Sequence, residues 1–499
     1  MSLMSLSAVS TRPTADPRRW KALAVLACLQ FMLILDATVV NVALPSIKSD
    51  LGFSQSNLAW VVDAYVLVAG GFLLLGGRVA DLFGRRRIFM AGAVAFAVGS
   101  LASGLAQDQA MLITSRAVQG LGEALAGPAA LSIITVLFLD QKERARALSV
   151  WGGLAGLGGT LGVLLSGVII DLADWRWIFW INLPVAVVVL VLAVRLVPSD
   201  RRRARASFDF GGAITATAGI TAVVYAVLEA NRNGWLSATT VGFFVAGAAL
   251  LGAFVLIERR VRSPLIPLRF FQARKPRTAA GLMVLVASSL YGMFFLLTLY
   301  MQLELGWTPL HTGVAYVIFG GGFLVGIGAA SQLLPRTGVR PSLVGGLILA
   351  AGGFALLTRL DLHLDYWTEL VPAQLLMSVG LGLAFVSLTV TAVSEASDAD
   401  AGIASGMVTT AQQVGGALGL AVLVSIATTR AANLQASGHS AAAAQLGGAH
   451  LAFAVGAALL AAGAVLAAFF IGSFKPATLP TPTPITQAAY EDGTEALAS

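Results

Sequence analysis

The sequence predicts an all-α, polytopic membrane protein. Of 499 residues, 57% are hydrophobic and only 11% charged, and the mean hydropathy is +0.83. Soluble domains carry roughly 25% charged residues. A bilayer-spanning helix takes about 20 apolar residues, so the apolar stock suits about fourteen spans. This composition excludes a soluble enzyme, a nucleic-acid-binding module and a secreted disulfide scaffold. The single cysteine, Cys28, lies in the first apolar run and has no partner for an intrachain disulfide. The net charge of +7 fits basic loops on the cytoplasmic side better than it fits nucleic acid.

The elements follow in order. Residues 1–19 are polar and basic (Arg12, Arg18, Arg19) and read as a cytoplasmic tail. Ala22 to Leu35 has the length of a signal-peptide core, but LDATVVNVALPSI follows without a small-residue cleavage site, so it reads as a retained first span. Charge-free runs of 18 residues or more mark spans at 88–107, 147–170, 177–194, 210–228, 233–257, 278–303, 305–335, 341–358, 370–394, 401–429 and 431–474. Charge interrupts only the first span (20–43, Asp36), the second (58–78, Asp63) and the fourth (110–137, Arg116 and Glu123). The expected architecture therefore has 14 transmembrane helices.

Lys and Arg set the orientation. With the N-terminus inside, external loops hold only Lys48, Arg176, Arg232, Arg359 and Arg430 of the 32 basic residues, and Arg116 lies within the membrane. Both termini are expected in the cytoplasm. LVAGGFLLLGGRVADLFGRRR (67–87) resembles IFGGGFLVGIGAASQLLPRTGVR (318–340), with Gly84 and Arg86 matching Gly338 and Arg340. Such parallel repeats are a transporter architecture. The chain accordingly divides into a tail (1–19), an N-terminal six-helix half (20–198), two extra helices with basic linkers (199–275), a C-terminal six-helix half (276–474) and a second tail (475–499).

Between spans two and three, Gly77, Arg78, Asp81, Gly84, Arg85 and Arg86 form the pattern Gly-Arg-x-x-Asp-x-x-Gly-Arg-Arg. The glycines permit tight turns and close helix approach. Asp81 is placed to pair with Arg85, Arg86 or a helix N-terminus, as a breakable latch. This loop resembles the hallmark loop of the major facilitator superfamily. LDATVVNVALPSI (35–47), RAVQGLGEALAGPAAL (116–131), WRWIFWINLP (175–184) and ASGMVTTAQQVGGALG (404–419) resemble the fourteen-helix drug:proton antiporters of that superfamily, over residues 20–475. The resemblance implies proton-driven export of hydrophobic or cationic drugs across the bacterial plasma membrane. It implies no cofactor beyond the proton gradient. In GLGGTLGVLLSG (156–167), Gly158, Gly162, Ser166 and Gly167 give a small-residue face in span five. This matches the family's antiporter motif, except that Val163 stands where the proline is usual and Ser166 where a glycine is.

Charges inside a membrane usually face a cavity and mark ion or substrate paths. Asp36, Glu123, Arg116 and Asp63 are therefore the expected proton-coupling residues. Asp36 ranks first, because the family's span-one motif places an acid there, and Glu123 second, because it lies deepest. A structural Asp36–Arg116 ion pair is the plainer reading, and Asp63 lies only about a turn from the external surface. Asn41, Tyr65, Tyr291, Phe295, Phe319 and Gln412, with Gln413, are candidates to shape a drug pocket. The four histidines show no metal-ligand spacing, no phosphate-binding GxxxxGK[ST] loop occurs, and no catalytic grouping stands out. The expected partners are protons, a small hydrophobic or cationic molecule and the lipid bilayer, with no nucleic acid and a monomeric chain. A proton-coupled metabolite transporter and a transport-inactive membrane sensor are the alternatives.

Overall fold

The computed structural model describes residues 18–138, 140–198, 210–261, 264, 274–394 and 401–472. Both tails, most of the two basic linkers and a few helical side chains, that of Asp81 among them, lie outside the described residues. Among the described residues the regular structure is helical throughout. The long helices are α1 (Arg19–Leu51), α2 (Trp60–Phe83), α3 (Arg85–Gly104), α4 (Gln109–Leu137), α5 (Gln141–Leu172), α6 (Asn182–Leu196) and α7 (Phe210–Asn233). They continue with α8 (Ala238–Arg260), α9 (Arg274–Leu299), α10 (Pro309–Thr337), α11 (Val339–Leu357), α12 (Val371–Val393), α13 (Ala401–Ala436) and α14 (Ala441–Phe470).

Among the described residues, 13 helical stretches are long and apolar enough to cross a membrane. Within α5 the described apolar stretch is shorter, Leu161–Leu172. Several helices outrun the apolar stretch that marks them in the sequence. For example, α1 runs on to Leu51 and α13 to Ala436, while α14 begins only at Ala441, after Gly438 turns the chain at φ 92°. A helix needs apolar surface only across the hydrocarbon, so its ends can pass through polar residues such as Lys48 and Arg430.

Successive helices run antiparallel, and two devices recur where they begin and end: glycines at positive φ and side-chain caps. At the near end, where α1 begins, α2 passes into α3 through Gly84 (φ 100°), and α10 into α11 through Gly338 (φ 88°). Only glycine adopts such backbone readily, which allows two helices to meet with a single residue between them. The two copies of the sequence repeat thus both turn on a positive-φ glycine. At the far end, helices begin on side-chain caps. Asp108 accepts from the Met111 amide, Ser237 from Thr240, Thr308 from His311 and Ser440 from Ala443. Each such cap contributes about 1 kcal/mol.

Helices α1–α6 pack mainly on one another, and α9–α14 likewise. The two groups meet where α5 lies against α10 and α2 against α13. Helix α7 lies over the second seam, touching both α2 and α13, while α8 packs on α7 and turns most of its surface outward.

Candidate functional site

Four helices of the N-terminal group bring their polar residues to one buried point. Asp36 on α1, Arg116 and Gln119 on α4, Ser100 on α3 and Asn182 on α6 are each at most 1% exposed. Arg116 Nη1 donates to Asp36 Oδ2 at 2.5 Å and to Gln119 Oε1 at 2.8 Å, and its Nε donates to the Val61 carbonyl at 3.0 Å. Asn182 Nδ2 and Gln119 Nε2 both reach Asp36 Oδ1, at 2.8 and 3.1 Å. The Tyr65 ring stacks 4.3 Å from the guanidinium carbon. Arginine suits this place because its fork serves several acceptors at once and its flat face accepts an aromatic ring. The Asp36–Arg116 pair read as the plainer possibility in the sequence is present.

The other two acids differ from Asp36 in their hydrogen bonding. Asp63 on α2 is 0% exposed, and neither of its carboxyl oxygens has a hydrogen-bond partner among the described residues. Its position in the sequence is only about a turn from the external surface, yet the side chain is buried, and the short helical turn Gln55–Leu58 folds against α7 and α13 ahead of α2. Glu123 on α4 has an Oε2 that is buried without a hydrogen-bond partner among the described residues, while the neighbouring Tyr65 hydroxyl donates to the Leu33 carbonyl at 3.4 Å. Tyr291 on α9, across the seam, lies within electrostatic reach of both Glu123 and Asp63. Its hydroxyl donates to Gln413 Oε1 on α13 at 3.0 Å.

The remaining pocket candidates separate into three kinds. Asn41 donates within its own helix, to the Thr38 carbonyl at 3.2 Å. Phe295 is fully buried, and Phe319 packs in a ring cluster 5.0 Å from Phe294, so both are core residues here. Gln412 is half-buried, whereas its neighbour Gln413 makes the contact to Tyr291 and seats Gly70 of α2.

In the loop after α2, Arg86 donates to the carbonyls of Val194 and Val197, at 3.3 and 3.1 Å, and so closes the C-terminus of α6. Cations are favoured there by the helix dipole. Arg78 is exposed, and the Asp81 side chain, on which the latch depends, lies outside the described residues. The close helix approach expected at Gly77 falls one residue earlier. A Cβ on Gly76 would stand 1.9 Å from the Ala124 carbonyl oxygen, whereas one on Gly77 would meet only Pro128 at 3.5 Å. Pro128 has no amide hydrogen to offer the Ala124 carbonyl, which leaves that oxygen free to face α2.

The small-residue face of α5 is divided between two partners. Gly158 and Gly162 receive Ile34 and Thr38 of α1, and the Ser166 hydroxyl donates to the Val39 carbonyl at 2.6 Å. Gly167 instead lies against Pro309 and Leu310 of α10, and Gly313 returns the contact against Val163. These small residues seal the two groups at the far end, where Gln302 Nε2 also donates to the Val42 carbonyl at 2.9 Å.

Sequence reasoning missed Glu229, because the charge-free run stops at 228 while α7 continues through Asn233. A carboxyl inside an otherwise apolar helix was the signal available. It missed Gln119 and Asn182 because amides do not interrupt a charge-free run.

The model of the Major Facilitator Superfamily matches residues 26–420. The puromycin resistance protein pur8 of Streptomyces alboniger is 44% identical over 458 residues, 90% of each chain. The lincomycin resistance protein of Streptomyces lincolnensis is 38% identical over 408 residues, covering 82% of this chain and 84% of that one. Among solved structures, a bacterial homologue of the human lysosomal transporter Spinster shares the fold at a TM-score of 0.65 and 17% identity, covering 93% of this chain and all of that one. A bundle of helices of membrane-spanning length with a buried ion pair inside it, together with these likenesses, leads to one assignment: the chain belongs to the Major Facilitator Superfamily and is a multi-pass membrane transport protein, not an enzyme.

Proposed function

We propose that the chain is a fourteen-span drug:proton antiporter of the bacterial plasma membrane that exports hydrophobic or cationic antibiotics by alternating access. The observation that carries the reading is the contrast among Asp36, Asp63 and Glu123. Asp36 is the carboxylate partner of buried Arg116 and accepts from Gln119 and Asn182 as well, so neutralising it would leave the buried guanidinium without its counter-charge. Asp63 and the free oxygen of Glu123 accept a proton without breaking anything. Proton exchange is therefore assigned to Asp63 and Glu123, and Asp36 to holding Arg116 in place. This reverses the ranking that the span-one motif suggests.

The near end is read as cytoplasmic, because the basic segments fall there. The far-end seal of α5 on α10 then closes the external side, with α1–α6 and α9–α14 as the two moving halves. A drug arriving from the cytoplasmic side would reach Glu123 and Tyr291, whose acidic and aromatic groups suit an organic cation. Export is favoured over metabolite uptake by likeness to proteins named for resistance to puromycin and lincomycin, and puromycin is the first substrate to try.

The test uses everted membrane vesicles energised with a proton gradient. Adding puromycin should release protons from the vesicle lumen, and Asp63→Asn should abolish the release. No response to puromycin, lincomycin or any lipophilic cation, with insertion confirmed, would favour the metabolite transporter instead.

A further inference from the structure

The helices left over by the repeat, α7 and α8, border an open cleft that no part of the proton site uses. Between α7, α8 and α2 its volume is about 670 Å3, and a second compartment of about 350 Å3 lies beyond it toward the far end. Tyr225 of α7 lines both. Its ring stands 4.4 Å from Phe243 of α8 and 6.2 Å from Trp60 of α2, so three rings from three helices form one continuous aromatic strip.

The compartments differ in chemistry. In the larger one, Thr217 and Thr221 turn their hydroxyls back onto the Ala213 and Thr217 carbonyls at 2.8 Å, which leaves an apolar wall with Phe72 and Leu250. In the smaller one stands Glu229, one helical turn beyond Tyr225, only 9% exposed and accepting from Asn233 Nδ2 at 2.6 Å. The cleft thus has an acid at one end, an aromatic strip in the middle and an apolar slot at the other end.

The geometry points to a second binding site, for a flat aromatic cation with an apolar extension, entered from the lipid side over α7, between α8 and α2. The cationic centre lies beside Glu229, the aromatic part lies along Trp60, Tyr225 and Phe243, and the extension fills the slot. Aromatic faces attract cations electrostatically, and the attraction grows where water is displaced. A phospholipid chain would fill the slot equally well, but it makes no use of an acid next to an aromatic strip. The site rests on the export reading only in taking its occupant to be cargo gathered from the bilayer.

The experiment uses the full chain in nanodiscs of phosphatidylglycerol, without a gradient, photolabelled with ethidium monoazide and mapped by mass spectrometry. Label is expected on peptides of α7 and α8, with protection by excess ethidium. Glu229→Gln and Phe243→Ala should each lower it roughly fivefold, and Phe243→Tyr should retain it. Phe243 is 38% exposed, so its truncation leaves the fold intact. Label confined to other helices, or unchanged in both variants, overturns the site. Displacement of the label by phosphatidylethanolamine also overturns it, because it makes the cleft a lipid seat. Labelling needs no transport, so loss of export and loss of this site are read separately.

Discussion

Arg116 and Asp63 lie on adjacent, packed helices, yet Arg116 donates to the Val61 carbonyl at 3.0 Å, two residues from Asp63, and leaves the Asp63 carboxyl without a partner. The guanidinium goes to Asp36 instead. One buried acid is thereby committed to an ion pair while another stays free, and the two should respond differently to neutralisation.

Asp36→Asn should act on assembly. It leaves Arg116 buried without its carboxylate, and losing one partner of a buried pair costs about 3–5 kcal/mol. The expected outcome is a lower melting temperature and little monodisperse protein in detergent, with export lost as a result. A variant that melts like wild type would show that Asp36 is not the anchor described here.

Asp63→Asn and Glu123→Gln should act on coupling. Both keep the side-chain size and disturb no existing ion pair, so melting should stay near wild type. Drug-driven proton release should disappear, while downhill drug counterflow in proteoliposomes continues. Normal proton release from both variants would return the proton role to Asp36.

Gly76→Ala and Gly77→Ala form a matched pair. The first drives a methyl group into the Ala124 backbone and should destabilise by about 1–3 kcal/mol, as overpacking does, with export impaired. The second meets only ordinary contact and should transport normally. Equal behaviour of the two would contradict the α2–α4 packing.

Gly84→Ala and Gly338→Ala should both be strained, by about 1–3 kcal/mol, since each forces a side chain into positive-φ, extended backbone that only glycine adopts readily. Thermal unfolding of the two variants side by side is the check. Unchanged melting of either variant would mean that its turn does not need glycine.

For topology, cysteines replacing Asn233 and Lys275 in a Cys28→Ala background should be labelled from opposite sides, Asn233 from outside and Lys275 from the cytoplasm. Labelling of both from one side would break the fourteen-span reading.

Much of the fold was legible in the sequence, because a membrane imposes one length on every span and charge is scarce enough to mark the gaps. The repeat was legible too, since Gly84 and Gly338 both turn the chain at positive φ. The site was legible only where charge announced it. Asp36 and Arg116 could be placed at similar depth by counting residues, and they do meet. What counting could not supply was lateral position. Asp63 appears near a rim along its helix axis but is covered from the side, and Glu229 sits one residue past a run that seemed to end a span. Gly76 and Gly77 are indistinguishable in composition, and only the proline-freed carbonyl of Ala124 tells them apart.

The buried ion pair also bears on how the chain is made. Residue 116 leaves the ribosome well after residue 36, so α4 must bring an arginine into the bilayer when α1 is already synthesised. Alone, that insertion costs about 2.5–3.5 kcal/mol. If α1 waits beside the insertion machinery, the cost falls, because the arginine enters next to its carboxylate. Asp36 then serves first as a mooring for an incoming helix, and the order of synthesis, acid before base, becomes part of what lets this bundle form.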